Sequence, residues 1–110
     1  MAVVEPRPAF EAAVTARIVW LGENAPEAWL DNFLAALDTL RRDIGFLLEA
    51  APALKQDELV VVRQRRFPAG LPYIVFYTHV REDPVTTVYL THLFHERQRR
   101  PQIDLRDWPW

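Results

Sequence analysis

Apolar residues recur along this chain first at helical spacing and then at strand spacing, and the period changes near Pro52. From Ala9 to Leu21, Phe10, Val14, Ile18 and Leu21 recur at spacings of four and three, which lays them on one helical face and leaves Glu11 and Arg17 in solvent. Pro8 can open this helix and Gly22 can stop it. Asn24 is placed to cap a second helix, with Glu27 three residues later able to reach back in a capping box. The second helix runs from Pro26 to about Leu48. In it, Trp29, Phe33, Leu37, Leu40, Ile44 and Leu47 or Leu48 keep a near-3.6 period, so Trp29 is expected in the core stripe, while Asp31, Asp38, Arg41 and Arg42 lie on other faces. Trp20, at the end of the first helix, suits core or rim. Gly45 costs about 1 kcal/mol relative to alanine in a helix, so the regular helix can loosen there, and Ala50-Ala51-Pro52 ends it.

Strand patterns fill the rest of the chain. Val3 and Val4 suit a short edge strand, interrupted by Pro6. Leu59 to Phe67 is β-branched at its start and alternating later; Tyr73 to Val80 is aromatic and β-branched throughout; Val85 to Phe94 alternates valine and leucine with threonine and histidine. Pro68-Ala-Gly-Leu-Pro72 and Arg81-Glu-Asp-Pro84 supply the turns, and the second places His79 and His92 as possible cross-strand neighbours. Tyr73, Val75, Tyr77 and His79 share one side of their strand, and Ile74, Phe76, Thr78 and Val80 the other. Both sides are apolar enough to be covered. The expected fold is therefore α+β: an N-terminal helical hairpin, joined by a four-to-five-residue turn, packed on a small, mostly antiparallel three- to four-stranded sheet. The second apolar face then calls for a partner protein, or for the N-terminal strand and C-terminal tail to fold over it.

The length of 110 residues allows one domain, 1–110, with 98–110 as a C-terminal tail. Thirteen basic and fifteen acidic residues give a net charge of −2, so the overall field gives no reason to expect direct nucleic-acid binding. The distribution is less even. Arg63, Arg65 and Arg66 fall on the first long strand, and Arg97, Arg99 and Arg100 follow the last, so strand pairing could join them into one basic patch; solvated strand edges also carry such charge. Cysteine is absent, which excludes thiolate chemistry and suits a reducing cytoplasm. Serine is absent too, so the usual activated nucleophiles are missing, and three glycines make no phosphate-cradling loop. No run of apolar residues is long enough to span a membrane, and the N-terminus has no standard signal pattern. His79, His92 and His95 are the only imidazoles; no HExxH-type spacing exists, and neither a metal nor a cofactor is expected.

Three segments carry a family resemblance: Ala28-Trp-Leu-Asp-Asn-Phe-Leu-Ala-Ala-Leu37 with the later Pro52, Tyr73-Ile-Val-Phe-Tyr77, and Leu93-Phe-His-Glu-Arg97. In this order the chain resembles the ParE/RelE superfamily of type II toxins, the plasmid-stabilisation proteins, whose fold is a helical hairpin on a small antiparallel sheet. The resemblance runs from about Val3 to Pro101 and leaves the last nine residues unexplained. In members with the tyrosine strand, its second position is usually an arginine that assists the RNA-cleaving branch. Here it is Ile74, and losing one such preorganised donor costs about 100-fold or more. The resemblance therefore implies the ParE-like branch: a cytoplasmic toxin that binds DNA gyrase rather than acting as an enzyme, held in a hetero-oligomer by a cognate antitoxin, ParD-like or similar.

Candidate contacts for target or antitoxin are Arg63, Arg65, Arg66, Tyr73, Tyr77, Arg97, Arg99, Arg100, Trp108 and Trp110. The alternative, a RelE-like ribosome-dependent mRNA endonuclease, would draw on Arg63, Arg65, His92 and His95. A third reading is a non-toxic binding module that keeps the fold.

Overall fold

The computed structural model describes residues 2–47, 53–56, 61–82 and 84–98, with the backbone alone for 47 and 53–56. Strand β1 (Val3–Pro6) leads into two helices, α1 (Pro8–Asn24) and α2 (Glu27–Leu47). Strands β2 (Ala53–Gln56), β3 (Val61–Arg66), β4 (Tyr73–Glu82) and β5 (Val85–His95) follow. They form one mixed sheet in the order β1-β5-β4-β3-β2, antiparallel except where β1 runs parallel to β5. The architecture is the expected α+β helical hairpin on a mostly antiparallel sheet. Its five strands exceed the expected three to four, because Ala53–Gln56 adds an edge strand beside β3.

The hairpin connection is shorter than the glycine suggests. α1 continues through Gly22 to Asn24, leaving only Ala25 and Pro26 between the helices. Pro26 holds Ala25 extended (φ −128°, ψ 160°), so the proline, not the glycine, sets the boundary. Asn24 does not cap α2. Its Nδ2 donates back to the Trp20 carbonyl at 3.0 Å, which satisfies an orphan acceptor at the end of α1, and no capping box forms.

In α2 the buried stripe is Phe33, Leu37, Leu40 and Ile44, entered by the partly buried Leu30. Trp29 is 58% exposed, contrary to its expected place in the core. The spacing 30-33-37-40-44 alternates three and four and keeps to one face, whereas two successive steps of four from Trp29 drift off it. Phe10 and Leu21 of α1 are buried against this stripe, with Val14 and Ile18 packed alongside. The helix does not end at Gly45. That residue is buried, and the Ala2 N–H bonds its carbonyl at 3.2 Å.

The sheet face toward the helices carries Tyr73, Val75, Tyr77, Val88, Leu90 and Leu93. Phe33, Phe67 and Tyr73 cluster there, with ring centroids 5.1–5.5 Å apart. The opposite face carries Val62, Ile74 and Phe76, with Phe94 against them. All three of those core residues are at most 2% exposed, so the centre of this face is already buried within the chain, while Phe94 and Val80 stay partly exposed.

A bulge in β5 sets how its side chains are shared between these faces. Phe76 pairs with His92 but Tyr77 pairs with Leu90, leaving Thr91 as the extra residue. Its buried hydroxyl donates to the Phe76 carbonyl at 3.1 Å. The shift also overturns the expected His79–His92 pairing: His79 lies opposite Val88, and His92 opposite Phe76.

Two substitutions check this packing. A Cβ at Gly45 would meet Val4 Cγ2 at 3.6 Å and the Ala2 carbonyl at 3.7 Å, both ordinary contacts, so Gly45→Ala should stabilise by about 0.5–1 kcal/mol in urea unfolding. The Thr78 hydroxyl is fully buried and has no hydrogen-bond partner among the described residues, so Thr78→Val should stabilise by about 1 kcal/mol in the same measurement.

Candidate functional site

Two adjoining clefts of about 340 and 360 Å³ open where the end of α1 and the start of α2 meet the β4–β5 end of the sheet. Arg17, Trp20, Tyr73 and His95 line both. Trp29, Asn32 and Phe33 complete one wall, Leu93 and Gln98 the other. The Arg17 guanidinium sits 5.3 Å from the Trp20 ring and 5.5 Å from the Tyr73 ring, held by two cation–π contacts. It is therefore not the purely solvated charge that α1 periodicity suggests. Trp20, 47% exposed, is a rim residue, and with Trp29 it presents large apolar rings to the cleft.

Each of these side chains has a local cause. Arg17 and Trp20, one turn apart near the end of α1, face the sheet end, and the two-residue connection brings Trp29 beside them. Tyr73 is fixed by the turn before β4, where Phe67 N–H donates to the Tyr73 carbonyl and Ala69 and Gly70 take φ of 60° and 71°. That pair matches the left-handed requirement of a tight hairpin turn, which Gly70 meets freely and Ala69 at a cost of about 1–2 kcal/mol. His95 reaches the helix side because of the Thr91 bulge, and there it meets Tyr73 edge to face at 5.6 Å.

The donor and acceptor roles follow from the hydrogen bonds. His95 Nδ1 accepts from the Arg97 N–H at 3.2 Å, so the imidazole proton of the neutral ring resides on Nε2. The Gln98 side-chain carbonyl accepts from the His95 N–H at 2.7 Å, leaving its NH₂ as the group still to be used. Among the described residues, no aspartate or glutamate lines either cleft. Among the described residues Arg17 joins no ion pair.

The residues expected from the sequence are placed as follows. Tyr73 and His95 belong to the cleft. Tyr77 does not: it is completely buried under the helices, and that burial pushes its phenol up, with the nearby Arg63 and Arg65 pulling it back down. Arg63 and Arg65 lie opposite Tyr77 and Val75 on the helix-facing side, where Arg65 pairs with Asp43 of α2 at 3.9 Å. Arg66 lies opposite Ile74 on the other side and meets Glu96 at 3.4 Å. Strand alternation thus splits the first arginine cluster across the sheet, so it does not form part of one basic patch. Arg97 is exposed beyond β5. Arg99, Arg100, Trp108 and Trp110 lie outside the described residues.

His92 and His95 fall on opposite faces of the sheet, so the alternative set Arg63, Arg65, His92 and His95 does not converge. His92 stacks on Phe94 at 5.5 Å and contacts Phe76 edge to face at 6.1 Å. Its Nδ1 lies 3.1 Å from the Thr91 hydroxyl, whose one proton goes to the Phe76 carbonyl, so Nδ1 is the donor. Burial lowers the His92 pKa, which favours this neutral form. Among the described residues no group of three or more histidine, aspartate or glutamate side chains could hold a metal ion, and no helix is long and apolar enough to cross a membrane. No protein-family model, curated protein or solved structure matches the chain.

The His92 shift sets an acid-side dependence of stability. The folded chain binds fewer protons there than the unfolded one, so the contribution is complete above the ordinary value of 6.5 and is lost as pH falls through the lowered folded value. Urea unfolding of the wild type should show stability declining as pH falls through 6.5, and His92→Gln should flatten part of that slope.

Proposed function

We propose that this protein is the toxin of a type II toxin–antitoxin pair, acting in the cytoplasm by binding a target protein and held inactive in a hetero-oligomer by a cognate antitoxin. The observation that carries this reading is a contrast. The groups that would serve catalysis diverge, with His92 and His95 on opposite faces, while Trp20, Trp29, Tyr73 and Arg17 converge on one accessible cleft. Aromatic rings and an arginine at the centre of a concave surface are the residue types that dominate binding energy at interfaces.

Further support comes from the layering, a helical hairpin on a mostly antiparallel sheet, as the family resemblance implies. Ile74, standing where the RNA-cleaving branch carries arginine, is fully buried in the Val62–Phe76 cluster. An apolar side chain packed there neither contacts a phosphate nor offsets transition-state charge. DNA gyrase is the target that the resemblance implies.

Induced expression in bacteria is expected to arrest growth, co-expression of a small acidic protein encoded beside it to restore growth, and the purified protein to inhibit gyrase supercoiling at micromolar levels. Normal growth at high expression would leave a non-toxic binding module instead. New mRNA cleavage sites in ribosome profiling, without gyrase inhibition, would establish the endonuclease.

A further inference from the structure

The polar groups of the cleft are matched in kind. Arg17 brings a guanidinium without a carboxylate partner among the described residues; His95 has its Nδ1 occupied and keeps a donor at Nε2; Gln98 has its carbonyl occupied and keeps its NH₂. Three side chains around one opening thus have donors to offer, and among the described residues no carboxylate lines it. Such a set recognises an anionic acceptor. The apolar part is aromatic: Trp20 and Trp29 line the cleft, and nearly half of Trp20 and more than half of Trp29 remain in contact with solvent, while the buried Tyr73 ring packs against Arg17. Exposed aromatic faces around a charged fork favour a planar ring that stacks while its acidic group reaches the fork.

We propose that the cleft binds a small aromatic carboxylate, with the ring between Trp20 and Trp29 and the carboxylate on Arg17, assisted by His95 and Gln98. The volumes of 340 and 360 Å³ lie at the small end of the range of about 300–1,000 Å³ for small-molecule pockets, which suits a ligand of one or two fused rings. Arg17 is preorganised for this role. Its two cation–π contacts fix the guanidinium plane before the ligand arrives, so little side-chain entropy remains to be lost on binding. The inference rests on reading the cleft as a binding site and does not require the protein to be a toxin.

Naphthoate is the probe, with its neutral amide as the control of equal shape. Calorimetric titration should show naphthoate binding at least about tenfold more tightly than the amide, the ratio expected when a charge-assisted hydrogen bond is lost. Chemical-shift mapping should place the changes at Arg17, the Trp20 and Trp29 indoles and the His95 ring. Arg17→Gln should erase the preference for the acid, Arg17→Lys should keep part of it, and the exposed Trp29→Ala should weaken both ligands alike. Equal binding of acid and amide, shifts centred elsewhere, or an unchanged preference in a folded Arg17→Gln variant would each overturn the proposal, as would the absence of binding at millimolar probe. Toxicity separates the two readings: growth arrest without naphthoate binding removes this inference alone, and naphthoate binding without growth arrest removes the toxin reading alone.

Discussion

One extra residue in β5 governs how the two faces of this sheet are shared out. Regular alternation from Val88 and Leu90 would place His92 and Phe94 under the helices and turn Leu93 and His95 away. With Thr91 taken up as a bulge and its hydroxyl bonded to the Phe76 carbonyl, the assignment reverses from that point onward. Leu93 joins the helix-side core, His92 and Phe94 close over Phe76 and Ile74, and His95 arrives beside Tyr73. Which β5 side chains join each cluster, and the place of His95 and Leu93 in the cleft, depend on that single register shift.

Around it the packing is arranged by strong, local constraints. The Phe33–Phe67–Tyr73 cluster ties α2, the end of β3 and the start of β4 together at the same end of the sheet. Pro26 fixes the angle at which α2 leaves α1, and the left-handed pair Ala69–Gly70 returns the chain into β4. Of these, the ring cluster reaches the cleft, where Phe33 and Tyr73 form part of the wall.

Periodicity made the helical hairpin, the three long strands and the edge strand at Val3–Val4 legible, because buried faces leave a spacing signature. It did not reveal the two-sided division of the β5 side chains, since a bulge has no mark in a run of valine, leucine and threonine. Trp29 was misplaced for a different reason: its size suggested burial, but the three-four alternation starting at Leu30 fits the core stripe better, and that signal was present in the residues themselves. The short strand Ala53–Gln56 has too little alternation to stand out. Of the cleft, Tyr73 and His95 were visible in the strand motifs. Arg17 was not, because a charge on an amphipathic helix reads as solvated until a second element is known to pass beside it. The splitting of Arg63, Arg65 and Arg66 follows from strand alternation alone and could have been anticipated once their strand was assigned.

The pairing of β1 with β5 has a consequence for how the protein comes into being. Val3 lies beside Thr87, so β1 finds its place only against β5, and the intervening chain must be brought to a close before that contact contributes anything. During synthesis β1 must wait for β5, which follows both helices and the other three strands. Its docking beside β5, with the Ala2 bond to Gly45, then fastens hairpin and sheet in one late event. A pairing so distant in sequence slows folding relative to the helical hairpin, which forms from neighbours. The order of assembly is thus helices early and sheet closure last, and until that closure one edge of β5 stands open to any other strand within reach.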